Sequence, residues 1–277
     1  MTAAMSMLDR ILRAFFDAAL LPFRGAHPLV GLSIVSLAAA VLVLLVVKRT
    51  SDQPALTAVK RQILAGFFEM RLFADDPRAL LSTQWELLRH NLRYLRLSLA
   101  PMLWLIAPFF LLVAQLQFQY GYRGLRAGET ALVTVTLAGG DTARPALRLE
   151  VPAGLRVETP GVWIPSLREM SWRVRVVEAG SYSITLDLAG TRIVKSLDAT
   201  PLVIRRSPER LRATLVKQLL YPAEDPLPAG VPLRAIAVTC PEASICALGI
   251  SLHWLVWFFV LSMAFAFALR KRFGVVL

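Results

Sequence analysis

The side chains that could do chemistry are few and lie far apart along the chain. The three histidines are His27, His90 and His253, and no Gly-rich phosphate loop, zinc-binding Cys/His cluster or nucleophile elbow is present. Asp75 and Asp76 could form an acid pair or a metal site, but adjacent carboxylates before a proline are typical of a helix cap. We therefore expect no catalytic residue, no metal site and no cofactor.

The two cysteines, Cys240 and Cys246, leave two alternatives open. Their separation is too loose to indicate a zinc site. On an oxidising side of a membrane they could form a small-loop disulfide. Equally, they could be two unrelated thiols near an interface.

Three apolar stretches must position whatever the protein binds. They are Val30–Val47, Leu99–Leu116 and Leu248–Leu269, and none contains Asp, Glu, Lys or Arg. Each reaches or nearly reaches the length needed to cross a hydrocarbon core of about 30 Å. Because backbone amides in lipid must be satisfied within the segment, we expect helices. The predicted transmembrane helices are residues 28–49, 99–118 and 247–270.

The formal net charge of +12 has an explanation in membrane topology. Lysine and arginine are abundant between the first two stretches, and Arg270, Lys271 and Arg272 follow the third. Such loops and helix ends are retained in the cytoplasm. We therefore predict a multi-pass protein of the inner (plasma) membrane, with a cytoplasmic tail at 271–277 and with the N-terminus and the large central block outside. We expect no nucleic-acid partner.

Residues 1–27 are predicted to form an amphipathic interfacial helix. The apolar residues at helical spacing are Leu8, Ile11, Leu12, Phe15, Phe16 and Ala19. Next to a membrane span, such a helix usually lies in the headgroup plane. The alternative is a helix packed on the outer block.

Residues 50–98 are predicted to form a cytoplasmic hairpin of two helices, with the break at Asp75-Asp76-Pro77. The first helix carries Val59, Ile63, Phe67 and Met70, and the second carries Leu81, Trp85, Leu88, Leu92 and Leu95. The hairpin has two interpretations: a solvated pair of helices that touches lipid headgroups, or a mobile element that captures an apolar client.

Residues 119–246 contain short β-rich runs separated by Gly and Pro. The predicted strands are Ala131–Leu137, Ala146–Val151, Leu155–Glu158, Ser171–Val177, Ser181–Leu188, Thr191–Ser196 and Leu233–Val238. A short helix is predicted at 207–220. This spacing favours an all-β, immunoglobulin-like sandwich inserted outside the membrane between the second and third spans.

Polar residues inside the predicted spans are a further clue to function. They are Ser33, Ser36, Gln115, Ser251, His253 and Ser262. Intramembrane polar groups tend to face protein or a water-filled cavity. Serine also serves simple helix packing, since it can bond its own backbone. Lys48 and Arg49, at the end of the first span, could reach lipid phosphate or point into a hydrophilic vestibule.

Residues 8–118, together with the last span, resemble the Oxa/YidC/Alb superfamily of membrane-protein insertases, especially its three-span members. The similarity lies in an outer amphipathic helix (Leu8–Leu20), a span that ends in cations, and a charged hairpin that returns through a Pro-containing entry into the next span. The resemblance implies that Arg49 or Lys48 is the cation of a cytoplasm-facing groove. It also implies a capture surface formed by Phe67, Met70, Trp85 and Leu88.

Two features depart from that family. Its groove arginine lies deeper in the span than Lys48 or Arg49, and its core has no β-sandwich between the second and third spans. The expected function is a non-enzymatic insertase-like or chaperone-like factor that binds lipid and a membrane-protein client. The alternative is a membrane-anchored outer module whose sandwich contacts an envelope partner. Three helices make a thin bundle, so an oligomer or membrane complex is expected.

Overall fold

The computed structural model describes residues 2–72, 77–139, 143–188, 190–212, 214, 221, 223–228, 230–247 and 249–275. It divides into two compact units. The first, here the β-domain unit, comprises Met1–Gly31 and Leu111–Trp254. The second, here the helical unit, comprises Leu32–Phe110 and Leu255–Leu277.

Five α-helices are present in the described part of the chain. They are α1 (Thr2–Leu20), α2 (Pro28–Thr50), α3 (Gln53–Leu72), α4 (Pro77–Tyr120) and α5 (Trp254–Phe273), with a short 3-10 helix at Leu21–Phe23. Three segments are long and apolar enough to cross a membrane: α2, residues Pro101–Tyr120 of α4, and α5. The prediction of three such helices is confirmed, although their bounds differ from the predicted ones, most of all at the start of the third.

The second helix of the hairpin and the second predicted span are one continuous helix. α4 is 44 residues long and has Pro101 and Pro108 in its interior. Each proline lacks an amide hydrogen, so the carbonyls of Leu97 and Trp104 lose their helical donor. Asp75 and Asp76, the predicted cap, lie outside the described residues.

The predicted start of the third span was wrong. Strands β10 (Ser244–Ala247) and β11 (Ile250–His253) form an antiparallel hairpin, and α5 begins only at Trp254. Gly249, with a φ of 77°, provides the left-handed conformation of the turn. Ser251 and His253 therefore lie in a strand and not in a span.

Two further antiparallel sheets form the β domain. The strands are β1 (Thr130–Leu137), β2 (Leu147–Glu150), β3 (Leu155–Val157), β4 (Val162–Ile164), β5 (Glu169–Val176), β6 (Gly180–Leu188), β7 (Thr191–Ala199), β8 (Glu209–Leu211) and β9 (Leu233–Val238). The larger sheet has the order β3-β5-β1-β9-β8, with β4 also paired to β5, and the smaller sheet has the order β2-β6-β7.

Side chains from both sheets meet in a shared core. Val135 and Trp172 of the larger sheet pack with Leu186 and Ile193 of the smaller one. Along β5, Trp172, Val174 and Val176 are buried while the arginines between them are exposed, as the sequence alternation predicted. Each fully buried aliphatic side chain contributes about 1.5–3 kcal/mol, so this alternation fixes the register of the strands.

The helix predicted at 207–220 was wrong at its start. Residues Glu209–Leu211 form β8, which pairs with β9 through Glu209↔Ala237 and Leu211↔Ala235. The open edge of β9 supplies backbone partners that local sequence cannot reveal, and these override the helical pattern. Residues 213 and 215–220 lie outside the described residues.

A matched pair of glycine substitutions tests the close backbone contact at the base of the β domain. A Cβ on Gly124 would lie 2.1 Å from the Thr200 carbonyl oxygen, whereas a Cβ on Gly25 would meet nothing within 4 Å. We expect Gly124→Ala to cost about 1–3 kcal/mol of stability and to lower the Tm of the purified full chain in detergent. Gly25→Ala should leave it unchanged. Equal Tm values for the two variants would contradict this contact.

Candidate functional site

The predicted capture residues lie mainly at the surface of the hairpin. Phe67, Trp85 and Leu88 are 55%, 56% and 48% exposed, and Met70 is half-buried. Other large apolar side chains are also exposed on α3 and α4. The hairpin apolar set, as we name it, is Leu64, Phe67, Phe68, Trp85, Leu88, Leu92 and Leu95. Large exposed apolar patches are typical of interaction surfaces, so this set is a candidate site.

A different set of contacts joins α3 to α4 and leaves the hairpin apolar set outside. Gly66 allows close approach, because a Cβ there would lie 3.2 Å from Leu87 Cδ1. Lys60 Nζ lies 5.7 Å from the centroid of the Tyr94 ring. Since Leu87 and Tyr94 are two helical turns apart, they share one side of α4. The exposed residues of α4 project from another side.

The predicted groove cations are at the surface. Lys48 and Arg49 occupy the last turn of α2 and are both exposed. Cations favour this end of a helix because they interact with its dipole. The described residues do not enclose either side chain in a groove.

The four predicted span residues that remain within helices differ in their surroundings. Ser36 is fully buried, and its hydroxyl has no hydrogen-bond partner within the described residues. Ser33 and Ser262 are half-buried. Gln115 is only 2% exposed, and its side chain is hydrogen-bonded to Arg205.

Three glutamines lie near the C-terminal end of α4. We call Gln115, Gln117 and Gln119 the glutamine collar. Gln115 Oε1 accepts a hydrogen bond from Arg205 Nη1 at 2.7 Å. Gln117 Oε1 accepts one from Trp254 Nε1 at 3.0 Å, and Gln119 Nε2 donates to the Val203 carbonyl at 3.1 Å. Each of the three amides therefore has a hydrogen-bond partner within the protein. Sequence reasoning did not single out Gln119.

Two consecutive arginines, also missed from the sequence, connect the collar to the β domain. Arg205 bonds Gln115 and donates from Nε to Asp17 Oδ1 of α1 at 3.1 Å. Arg206 is 4% exposed and donates to the carbonyls of Tyr122, Thr200 and Leu202 at 2.7–2.9 Å. Burial lowers the pKa of the Arg206 guanidinium, while nearby Asp198 opposes that shift. Carbonyl oxygens thus take the place of water around a buried cation.

Helix α1 contacts the β domain through its polar side. Arg13 pairs with Asp225 at 2.9 Å, and Asp17 pairs with Arg205. Apolar residues on its other side remain exposed: Met7 is 61%, Ile11 55% and Phe15 65% exposed. The alternative in which this helix contacts the outer block is thus observed, while its apolar stripe stays available to a bilayer.

A pocket of about 390 Å³ lies at the base of the β domain. Its lining includes Pro28 at the start of α2, Gln119 at the end of α4, and Arg206 with the 199–203 segment. All the lining residues belong to the β-domain unit. Ligand pockets in proteins typically measure about 300–1,000 Å³, so this cavity has the size of a binding site.

One wall of the pocket is held by a paired carboxylate. Glu129 accepts two hydrogen bonds from Arg123, at 2.9 and 3.0 Å, and one from the Arg126 amide at 3.0 Å. The pKa of Glu129 lies below its ordinary value of 4.5. The hydrogen bonds from Arg123 are the largest cause, and the hydrogen bond from the Arg126 amide is the second. The carboxylate therefore fixes the 123–129 loop only while it is ionised.

A buried lysine ties the smaller sheet to neighbouring loops. Lys195 on β7 is fully buried, and its Nζ donates to Glu224 Oε2 and to the Ser207 carbonyl, both at 2.6 Å. Glu224 Oε1 also accepts from the Ser196 amide at 3.2 Å. Burial lowers the pKa of Lys195, and the Glu224 carboxylate opposes that shift.

Cys240 and Cys246 are both free thiols in the structure. Cys240 is half-buried near Lys195 and Arg206, whereas Cys246 is exposed on β10. Burial is the largest cause of the raised pKa of the Cys240 thiol, and Lys195 and Arg206 oppose that shift. A protonated thiol is a poor nucleophile, so this cluster does not form an activated cysteine.

The chain is thus of a defined structural class: three helices long and apolar enough to cross a membrane, with a two-sheet β domain between the second and third. Among the described residues, no group of three or more His, Cys, Asp or Glu side chains could hold a metal ion. No known family model and no curated protein matches the chain. Its function must be inferred from its own geometry.

The Lys195–Glu224 pair predicts a non-additive pair of substitutions. Glu224→Gln leaves the buried ammonium without its counter-charge, and we expect a loss of about 2–4 kcal/mol in the free energy of unfolding. Adding Lys195→Met removes the stranded charge and should recover at least half of that loss. Denaturant unfolding of the full chain in detergent measures both. A double variant no more stable than the single one would contradict the pairing.

Glu129 predicts a specific pH dependence of stability. Its pKa is lower in the folded chain than in the unfolded one, so its contribution is present above 4.5 and is lost as the pH falls through the folded value. Glu129→Gln should therefore flatten the decline of Tm between about pH 5 and 3. Glu178→Gln, at an exposed position, is the matched control and should keep the wild-type slope.

Proposed function

We propose that this chain is an insertase-like or chaperone-like factor for membrane-protein biogenesis. The observation that supports this function most is the hairpin apolar set, which stays exposed on two helices that pack together through other side chains. A factor that inserts membrane proteins must shield the apolar segments of its client from water before insertion. An exposed apolar surface beside candidate membrane spans suits that task.

The proposed topology places α2, residues Pro101–Tyr120 of α4, and α5 across the inner (plasma) membrane. The N-terminus and the β domain are outside, and the hairpin and tail are cytoplasmic. The basic last turns of α2 and α5 support this orientation, since Lys48 and Arg49 end the first and Arg270, Lys271 and Arg272 end the other. The exposed apolar stripe of α1 supports its placement in the outer headgroup plane.

Capture of a client would follow from burial of apolar area. Each fully buried Leu or Phe side chain contributes about 1.5–3 kcal/mol, so a few such contacts give binding that is firm yet reversible. Lys48 and Arg49 would attract acidic or polar residues that flank the client's apolar segment. The proposed function involves no covalent step, so we propose that the protein is not an enzyme.

A second function is favoured by a specific observation, the pocket at the base of the β domain. In that case the spans are anchors, and the β domain, which we propose to be immunoglobulin-like, binds an envelope partner or ligand. The two functions differ in which side of the membrane makes the essential contact.

Site-specific photo-crosslinking in intact cells tests the hairpin. A photoreactive residue at Trp85 or Leu88 should trap newly synthesised membrane proteins. The same residue at Arg93, exposed on another side of α4, should trap few. In addition, the double substitution Trp85→Asp and Leu88→Asp should slow insertion of the trapped clients while leaving Tm unchanged, because both side chains are exposed.

A photoreactive residue at Arg148, exposed on β2, distinguishes the second function. One stable envelope partner trapped there, with no nascent protein trapped at Trp85 or Leu88, would contradict the insertase-like proposal. It would favour the anchored binding module.

A further inference from the structure

The pocket at the base of the β domain has a lining that selects for a charge. Three arginines contribute to it, Arg123, Arg126 and Arg206, and no Asp or Glu is among the lining residues. Arg123 is neutralised by Glu129, and Arg206 is surrounded by carbonyls. The Arg126 side chain is exposed and makes no hydrogen bond within the described residues, although its charge also helps to lower the pKa of Glu129. The lining therefore favours an anion.

Three buried polar atoms in the lining residues have no hydrogen-bond partner within the described residues. They are Arg206 Nε, Thr200 Oγ1 and Gln119 Oε1. Gln119 and Arg206 are only 3% and 4% exposed. Buried polar atoms nearly always have a hydrogen-bond partner. Three unsatisfied atoms in residues that line one cavity therefore indicate a ligand or ordered water. Each atom is covered, so binding requires a small movement of the pocket wall.

The donor and acceptor types define the ligand further. Arg126, Arg206 Nε and the Thr200 hydroxyl supply donors, which suit phosphate oxygens. Gln119 Oε1 can only accept, so it requires a donor such as a hydroxyl group. Leu125 and Ile245 add apolar wall. An anionic phosphodiester that carries a hydroxyl group and an apolar tail matches this combination.

The position of the pocket indicates where such a ligand would come from. Pro28 begins α2 and Tyr120 ends α4, and both line the cavity. These are the ends of two helices long and apolar enough to cross a membrane. If these helices span the bilayer, as proposed above, then the pocket lies at headgroup level, where phosphodiesters are concentrated.

We propose that this pocket binds the headgroup of an anionic phospholipid with a free hydroxyl, such as phosphatidylglycerol, from the outer leaflet. The Arg126 guanidinium pairs with the phosphate, and the Thr200 hydroxyl and Arg206 Nε complete its donors. A headgroup hydroxyl donates to Gln119 Oε1. This site is separate from client capture by the hairpin, so either can fail without the other.

Lipid retention by the full-length chain tests the site. The protein is reconstituted in nanodiscs of phosphatidylcholine with phosphatidylglycerol, released into mild detergent, and its bound lipids are counted by native mass spectrometry. The wild type should retain phosphatidylglycerol over phosphatidylcholine. Arg126→Gln should weaken retention about tenfold, the loss expected for one charge-assisted hydrogen bond. Arg148→Gln, which removes the same charge from an exposed position on β2, should behave as wild type.

Additional arms identify the source and the hydroxyl. Glycerol 3-phosphate and inorganic phosphate, added at millimolar concentration, should not displace the lipid. If either raises Tm as much as phosphatidylglycerol does, a soluble anion is the ligand and the lipid proposal fails. Phosphatidylmethanol, a phosphodiester with the same charge but no headgroup hydroxyl, should bind more weakly. Equal lipid retention by Arg126→Gln and Arg148→Gln would overturn the proposal, as would equal retention of phosphatidylcholine. The insertion assay is read separately.

Discussion

The β-domain unit depends on one requirement: amide side chains at the end of an apolar helix must have hydrogen-bond partners. An unsatisfied polar group in an apolar medium costs several kcal/mol. At the end of α4 the partners come from Arg205, Val203 and Trp254. Since Arg205 also pairs with Asp17, the collar joins α1, the 200–206 segment and the start of α5 at one place. The β domain is thereby attached to α4 by directional bonds and not by apolar contact alone.

The same attachment creates the pocket. Holding the 200–206 segment against α4 brings Arg206 next to the carbonyls of Tyr122, Thr200 and Leu202, and these keep the cation inside the protein. Gly124 permits the approach, because any side chain there would collide with Thr200. The contacts between Arg206 and these carbonyls therefore place a positive charge in the wall of the pocket.

Much of the fold could be predicted, because it follows from local periodicity. Alternation along β5 and β6 and the length of the apolar runs depend only on neighbouring residues. The errors arose where distant partners decide the structure. Residues 209–211 become a strand because β9 offers an edge, and hydropathy alone cannot separate the hairpin at 244–253 from the helix that follows. The role of Arg205 depends on Gln115, 90 positions away, so no local pattern reveals it.

The pairing of Lys195 with Glu224 has a consequence for how this protein can change over evolutionary time. The ammonium is fully buried, and the carboxylate is its nearest counter-charge in the described chain. A substitution at one position leaves an unmatched charge or an unfilled acceptor, so viable sequences must alter both together or neither. Positions 195 and 224 are therefore expected to vary jointly in descendants of this sequence, although they are distant from each other along the chain.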